Sequence, residues 1–337
     1  MKCIVINLFA MVFFILNINK SSAQNASGYA VAKTFHIASS GGWDYIAVGP
    51  DNNRLYVSHG TQVNIIDEKI GDSVGVIPNT TGVHGIAFVA SMKKGYTSNG
   101  RLNNVTVFDL NTNQIITQIA TGQNPDAIMY DNFSKKIITC NGRSKNLSVI
   151  DPATDKVVAT IAVDGKPETA VSDEAGKIYV NIEDKNEIAV VNITTGKVEN
   201  NWSITPADGP TGLAIDIKTK RLFAGCDKLL VVVDATNGHV INKLKIADGC
   251  DGVAFDNNLK YIFASCGEGK LSIIQEINGD TFKVIDNIET KRSARTLAID
   301  EQTHEVFLPA ADTEKSVGTE RPKQIAGTFQ VLVVAKK

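Results

Sequence analysis

With 337 residues, 43% of them hydrophobic and 21% charged, the chain has apolar material for a sizeable core, which excludes a disordered or collagen-like polymer. Lys and Arg number 34 against 36 Asp and Glu, a net charge of −2, so no global charge attracts nucleic acid or anionic lipid. Length alone allows two average domains or one large all-β ring.

The amino end reads Met1-Lys2-Cys3, an apolar run from Ile4 to Ile18 interrupted by Asn7 and Asn17, then Lys20-Ser21-Ser22-Ala23. This is the layout of a secretory signal peptide, with Ser21 and Ala23 suited to cleavage after Ala23. The run is shorter than the roughly 20 apolar residues that span a bilayer, and no other long apolar stretch follows it. The expectation is a signal peptide over residues 1–23, an exported protein in a periplasmic or extracellular compartment, and no transmembrane anchor after cleavage. Removing those residues leaves 314 of the 337 and, with Lys2 and Lys20 gone, a net charge of −4.

From residue 24 onward the chain repeats itself. The unit is clearest in Pro167 to Asp173, Lys177 to Asn181, Ile188 to Asn192, a Thr195-Gly196 turn and Lys197-Val198. Equivalent positions are Gly49, Val89, Asp131, Asp173, Asp216, Asp256 and Asp300, spaced by 40, 42, 42, 43, 40 and 44 residues. Periods of this size mark propellers or solenoids. Each unit holds four short runs rich in Val, Ile, Tyr and Phe, parted by Gly, Asn, Asp and Thr, the pattern of antiparallel strands and tight turns. Third strands are expected at Val63 to Asp67, Val105 to Asp109, Leu147 to Asp151, Ile188 to Asn192, Leu230 to Asp234, Leu271 to Gln275 and Phe329 to Val333. The seventh has no fourth strand after it, whereas Val31 to Ile37 is a fourth strand without a unit of its own. A strand from the amino end therefore completes the last blade and closes the ring. The predicted fold is a single all-β domain over 24–337, a seven-bladed propeller of four-stranded antiparallel blades.

Leu55-Tyr56-Val57-Ser58, Tyr96-Thr97-Ser98-Asn99 and Ile178-Tyr179-Val180-Asn181 resemble the Tyr-Val-Thr-Asn motif of YVTN-type, or YncE-like, propellers. Gly122-Gln123-Asn124-Pro125 and Gly165-Lys166-Pro167 resemble that family's loop before the innermost strand, and Ile325 to Phe329 its closing blade. The resemblance covers roughly 29–335. It implies the fold and leaves function open, because propellers host many unrelated activities.

Loops leading into the innermost strand and loops joining strands two and three emerge on the same face of such a disc. The residue five before each repeat position is Asp44, His84, Asp126, Glu168, Thr211, Asp251 or Arg295, and the next is Tyr45, Gly85, Ala127, Thr169, Gly212, Gly252 or Thr296. Mostly small residues let the inner strands approach the axis, so the preceding side chains ring the channel mouth. In one reading these side chains hydrogen-bond loop amides, with Arg295 balancing carboxylates. In the other, the carboxylates and His84 bind a divalent cation or polar ligand, with Asp126, Glu168, Asp251 and His84 as candidate metal ligands. Clustered carboxylates would also raise one another's pKa and supply a general acid or base.

The second loops on this face add His59, Asn99, Arg101, Asn141, Arg143, Asp227 and Glu268. His59 is a candidate ligand-binding residue or a solvent-exposed loop histidine. Cys140, Cys226, Cys250 and Cys266 form no C-x-x-C or C-x-x-C-H, so no haem-attachment motif is present and redox chemistry lacks its usual signature. In an oxidising compartment a disulfide from Cys250 to a neighbour is expected over a thiolate metal site. The long irregular segment Ala310 to Thr328, with Glu314, Lys315, Glu320, Arg321, Pro322 and Lys323, is a lid, a partner contact or a structural clasp.

The leading expectation is a monomeric, non-enzymatic binding or scaffold propeller that holds a small polar ligand or a protein at its channel mouth. A metal-dependent, lactonase-like hydrolase or lyase at the same mouth is the alternative. The third is an accessory propeller of a quinone- or haem-linked oxidoreductase system, by fold analogy.

Overall fold

The second and third strands of every unit are buried almost end to end, as in Lys136–Asn141 and Asn146–Asp151, whereas the fourth alternates, as in Lys156–Ala162. Strands covered on both faces need near-continuous Val, Ile and Leu, and a strand with one wet face needs only every second position. A computed structural model describes residues 27–39, 41–50, 53–314 and 323–337. The segment read as a signal peptide, 1–23, lies outside the described residues.

Among the described residues the chain forms seven four-stranded sheets, each antiparallel and in sequence order from axis to rim for blades one to six. Blade one runs Trp43–Val48, Arg54–His59, Gln62–Asp67 and Ser73–Ile77, and blade six ends on the long hairpin Lys270–Asn278 and Thr281–Glu289. Blade seven has the order Tyr29–His36, Gln330–Lys336, Val306–Ala310, Ala298–Ile299 from rim to axis. Its outer strand comes from the amino end, with Tyr29 opposite Lys336 and His36 opposite Gln330. The ring is thus closed as expected, and the exposed edge that Gln330–Lys336 would otherwise present is paired. Ser27 Oγ donates to Asp286 Oδ2 at 2.7 Å, and the Tyr29 hydroxyl donates to the His304 carbonyl at 3.0 Å, so the closing strand is also tied to blade six and to the innermost turn of blade seven.

The core lies between blades. Ile138, Cys140 and Val149 of blade three pack on Ile178, Val180, Ala189 and Val191 of blade four, and similar clusters fill the other seams. Each fully buried Val, Leu or Ile contributes about 1.5–3 kcal/mol. The motif tyrosines Tyr56, Tyr96 and Tyr179 are buried in these seams. Tyr96 donates its hydroxyl to Asp155 of the next blade at 3.0 Å, and Tyr179 donates to the Ala235 carbonyl at 2.7 Å. The motif's recurrence therefore has a structural cause, a ring buried in the seam, whose polar tip reaches the neighbouring blade at Tyr96 and Tyr179, while the Tyr56 hydroxyl is buried without a partner among the described residues.

Candidate functional site at the channel mouth

In five of the seven innermost strands the pairing with the second strand slips beside the predicted ring residue. The irregularities fall between Trp43 and Ile46, Val83 and Ile86, Pro125 and Ile128, Pro167 and Ala170, and Cys250 and Gly252. A bulge re-aims a side chain out of the strand's alternation. Second-strand hydroxyls and amides brace these irregular starts. The Gly85 N–H donates to Ser98 Oγ at 2.8 Å, Ser98 Oγ donates to the Asp126 carbonyl of the next blade, and Asn181 Nδ2 donates to the Gly212 carbonyl at 2.9 Å.

Below the ring lies a cavity of ≈ 190 Å³, lined by Tyr45, Gly85, Ala127, Thr169, Gly212 and Gly252 with apolar neighbours from Ile46 to Leu297. The inner strands do come close to one another. A Cβ on Gly212 would stand 2.7 Å from the Val253 nitrogen, and one on Gly252 3.0 Å from the Thr296 Cα.

Five of the six charged ring residues form one connected array. Arg295 donates to Asp251 Oδ2 at 2.6 Å and to Asp44 Oδ1 at 3.2 and 3.3 Å. His84 Nδ1 donates to Asp44 Oδ2 at 2.6 Å and lies 3.7 Å from Asp126 Oδ1. Glu168, the sixth, instead binds Lys166 Nζ at 2.6 Å, and Lys166 also pairs with Glu183. Thr211 turns its hydroxyl to the Cys250 carbonyl at 2.6 Å and offers the ring no charge.

This arrangement perturbs the protonation of His84, Asp126, Glu168 and Asp251. Burial opposes a charged imidazole at His84, but the Asp44 hydrogen bond and the Asp126 and Glu168 charges outweigh it and lift the pKa to about 9. Burial raises Asp126 to about 6, with Asp44 and Asp251 adding to the rise and His84 opposing it. Burial and Asp126 carry Glu168 up to about 8 against the pull of Lys166. Burial also raises Asp251, in spite of Arg295. Near neutral pH His84 therefore carries its proton, and so does Glu168.

Ligand atoms of Asp44, His84 and Asp126 lie within 4.8 Å of one another, close enough to share one ion. Of the four candidate metal ligands read from sequence, His84 and Asp126 thus stand together, while Asp251 and Glu168 are engaged by Arg295 and Lys166. Asp44 takes the place of those two carboxylates in the trio. Two nitrogen- or oxygen-donating carboxylate-imidazole ligand types in one corner suit a zinc-like divalent ion.

His59 is not a solvent-exposed loop residue and makes no contact with His84. It is fully buried, its Nε2 donating to the Gly41 carbonyl at 2.9 Å and its Nδ1 sharing a hydrogen bond with Ser39 Oγ. Its ring stacks on Phe329 at 3.9 Å, and burial lowers its pKa. Asn99 and Asn141 are likewise buried, spent on Asn104 and Thr106 and on Asn146 and Ser148. Arg101, Arg143, Asp227 and Glu268 stay exposed.

The expected disulfide is absent: all four described cysteines are free and buried. Cys250 and Cys266 face each other across paired strands, but both occupy apolar seam positions, where a thiol behaves as a small hydrophobe. In the segment Ala310 to Thr328, residues 315–322, with Lys315, Glu320, Arg321 and Pro322, lie outside the described residues. Its two ends pair with each other, Thr313 bridging Gln324 and the Glu314 N–H donating to the Lys323 carbonyl at 2.7 Å.

Sequence reasoning passed over Tyr45. It follows Asp44 where the other blades carry Gly, Ala or Thr, and its ring crosses from blade one to pack on the seam of blades three and four. Burial, then Asp126, Asp44, Glu168 and Asp251, push its phenol well above the usual tyrosine range. The available signal was a single bulky residue in a series of small ones.

No family model and no curated protein matches the chain. Among solved structures, 1740 chains match it in fold, so the architecture does not discriminate between functions. A chain of Kuenenia stuttgartiensis hydrazine synthase superposes with a TM-score of 0.74 at 15% identity, over 90% of this chain and 98% of that one. That likeness establishes the shared propeller fold.

Proposed function

We propose that this chain is an exported binding propeller of the YVTN type that holds a small polar ligand over its axial mouth, with a divalent cation in the Asp44–His84–Asp126 corner. The carrying observation is the convergence of those three ligand atoms within 4.8 Å above a ≈ 190 Å³ cavity. An ion there would take the place of the His84 proton between Asp44 and Asp126, beside Arg295, which hydrogen-bonds Asp44. The cavity is smaller than the usual 300–1,000 Å³ of drug-sized ligand sites, which favours an ion and a compact ligand. The export reading rests on the Ile4 to Ile18 run and Ala23, and the family reading on the Tyr56, Tyr96 and Tyr179 motifs.

One observation favours the hydrolase or lyase reading. Glu168 retains a proton up to about pH 8 beside the trio, which is the state a general acid requires. The accessory role in a redox system draws from the hydrazine synthase likeness only a shared architecture.

Metal analysis of the purified protein and zinc titration by calorimetry test the proposal, followed by lactone and ester hydrolysis with and without chelator. One zinc per chain, bound at least tenfold more weakly by Asp126→Asn and without turnover, is the expected result. Chelator-sensitive turnover lost in Glu168→Gln replaces the binding reading with the hydrolytic one. Zinc binding indifferent to Asp44→Asn, His84→Gln and Asp126→Asn returns the ring to a purely structural role.

A further inference from the structure

On the face opposite the mouth, the turn between the first two strands of a blade holds one residue in the left-handed conformation. These are Asn53, Lys93, Lys135, Lys220, Lys260 and His304, with φ from 50 to 61°. The carbonyl of this residue accepts an N–H from the end of the third strand: Asn53 from Glu68 at 2.8 Å, Lys93 from Leu110 at 2.9 Å, Lys220 from Ala235 at 3.0 Å and Lys260 from Glu276 at 2.8 Å. The shared hydrogen bond makes these positions equivalent in space as well as in sequence. Glu68 and Glu276 are the two acidic members of that set, and each meets the aspartate that ends the first strand of the preceding blade. Glu276 meets Asp216, and Glu68 meets Asp300.

The two seams differ in one group. Between blades five and six, Lys260 places its ammonium 2.7 Å from Asp216 Oδ2, beside Glu276. Between blades six and seven, His304 Nδ1 stands 2.6 Å from Asp256 Oδ2. Between blades seven and one the corresponding residue is Asn53, which has no charge. A polar cavity of ≈ 210 Å³ opens there, lined by Asn53, Glu68, Asp300, Gln302 and the turn Val48 to Pro50. Glu68 is only 6% exposed, and its carboxyl lies within hydrogen-bond reach of the Asp300 carboxyl. The charged groups around Glu68 are Asp300 and Glu305, opposed by exposed Lys69, while Lys33 lies 3.9 Å from Glu305. Burial, then Asp300, raises Glu68 to about 7. Two adjoining carboxyls of this kind either share a proton or hold a cation between them.

We propose that the seam between the first and last blades is a hard-cation site for an ion of the calcium class, with Glu68 and Asp300 as its anionic ligands. Asn53, Gln302 and the Val48 to Pro50 turn line the same space, and an ion of this class takes six to eight oxygens from carboxylates, amides, carbonyls and water. The ion stands where Lys260 puts its ammonium two seams earlier. It joins blade seven to blade one, and so fastens the point at which the ring is closed.

Calcium titration by calorimetry and thermal unfolding with and without calcium test this in Asp126→Asn protein, where the mouth trio is disabled. One calcium per chain with a rise in Tm is expected, and Glu68→Gln should bind at least tenfold more weakly. Asn53→Lys supplies the ammonium at a φ that four lysines at the equivalent turns, Lys93, Lys135, Lys220 and Lys260, already adopt, on an exposed turn. It should raise Tm in the absence of calcium and abolish the calcium response. Absence of a calcium-dependent Tm rise in the parent overturns the proposal, as does a response that Asn53→Lys leaves intact.

Discussion

Replacing Asp44 with Asn removes the charge that both His84 and Arg295 share. His84 is held at about 9, against an ordinary 6.5. A folded-state pKa above the unfolded value means that the native protein binds the proton more tightly, which is worth about 3 kcal/mol for this gap. That stabilisation is complete below pH 6.5 and is lost as the pH rises through 9. Asp126 and Glu168, raised to about 6 and about 8, lose stability in the same direction at lower pH, so the interval between 8 and 9 belongs mainly to His84. The assay is urea unfolding in steps from pH 6 to pH 9.5 with chelator present, alongside proton NMR of the imidazole resonance that disappears in His84→Gln. In Asp44→Asn the resonance should titrate at or below 6.5, because burial then faces a weakened set of opposing charges, and the loss of stability between pH 8 and 9 should flatten. A parent His84 that titrates at or below 6.5, or an Asp44→Asn resonance still near 9, refutes this account of the mouth.

Two further outcomes follow from the packing. Gly212→Ala sets a Cβ 2.7 Å from a backbone nitrogen of the next blade and 2.8 Å from a backbone carbon, neither of which can move alone. It should cost about 1–3 kcal/mol in urea unfolding, whereas Gly42→Ala, with nothing within 4 Å of the new Cβ, serves as the control; equal costs would remove the argument for close approach at the axis. Cys140, Cys226, Cys250 and Cys266 are buried free thiols, and burial raises the pKa of Cys140 and Cys226. These four should resist a thiol reagent in the native state and react together on unfolding. Recovery of only two would establish the disulfide that the structure lacks.

The blade register was readable because it depends on local rules. Val, Ile and Tyr runs parted by Asp, Thr and Gly turns repeat seven times, and each turn satisfies its own amides, as Asp151 does for Ala153 and Asp234 for Thr236. The orphan strand at the amino end was readable for the same reason, being a fourth strand without a blade. The roles of individual polar side chains were not. His59 and His84 both precede glycine-bearing segments on one face, yet one is sealed behind Phe329 and the other joins the mouth. Nothing within a few residues of either distinguishes them.

The sequence by itself determined a closed seven-bladed ring, the strand completing it and the seven residues placed at its mouth, because hydrophobic period, turn chemistry and spacing act along the chain. Only the tertiary structure decided which of those residues meet. Asp44, His84 and Asp126 converge through bulges in three separate blades. Arg295 withdraws Asp251, Lys166 withdraws Glu168, and Tyr45 crosses the axis between them. Contacts such as Arg295 to Asp44 join residues 251 positions apart, and a distance of that kind is set by how the blades pack around the axis, which no local pattern encodes.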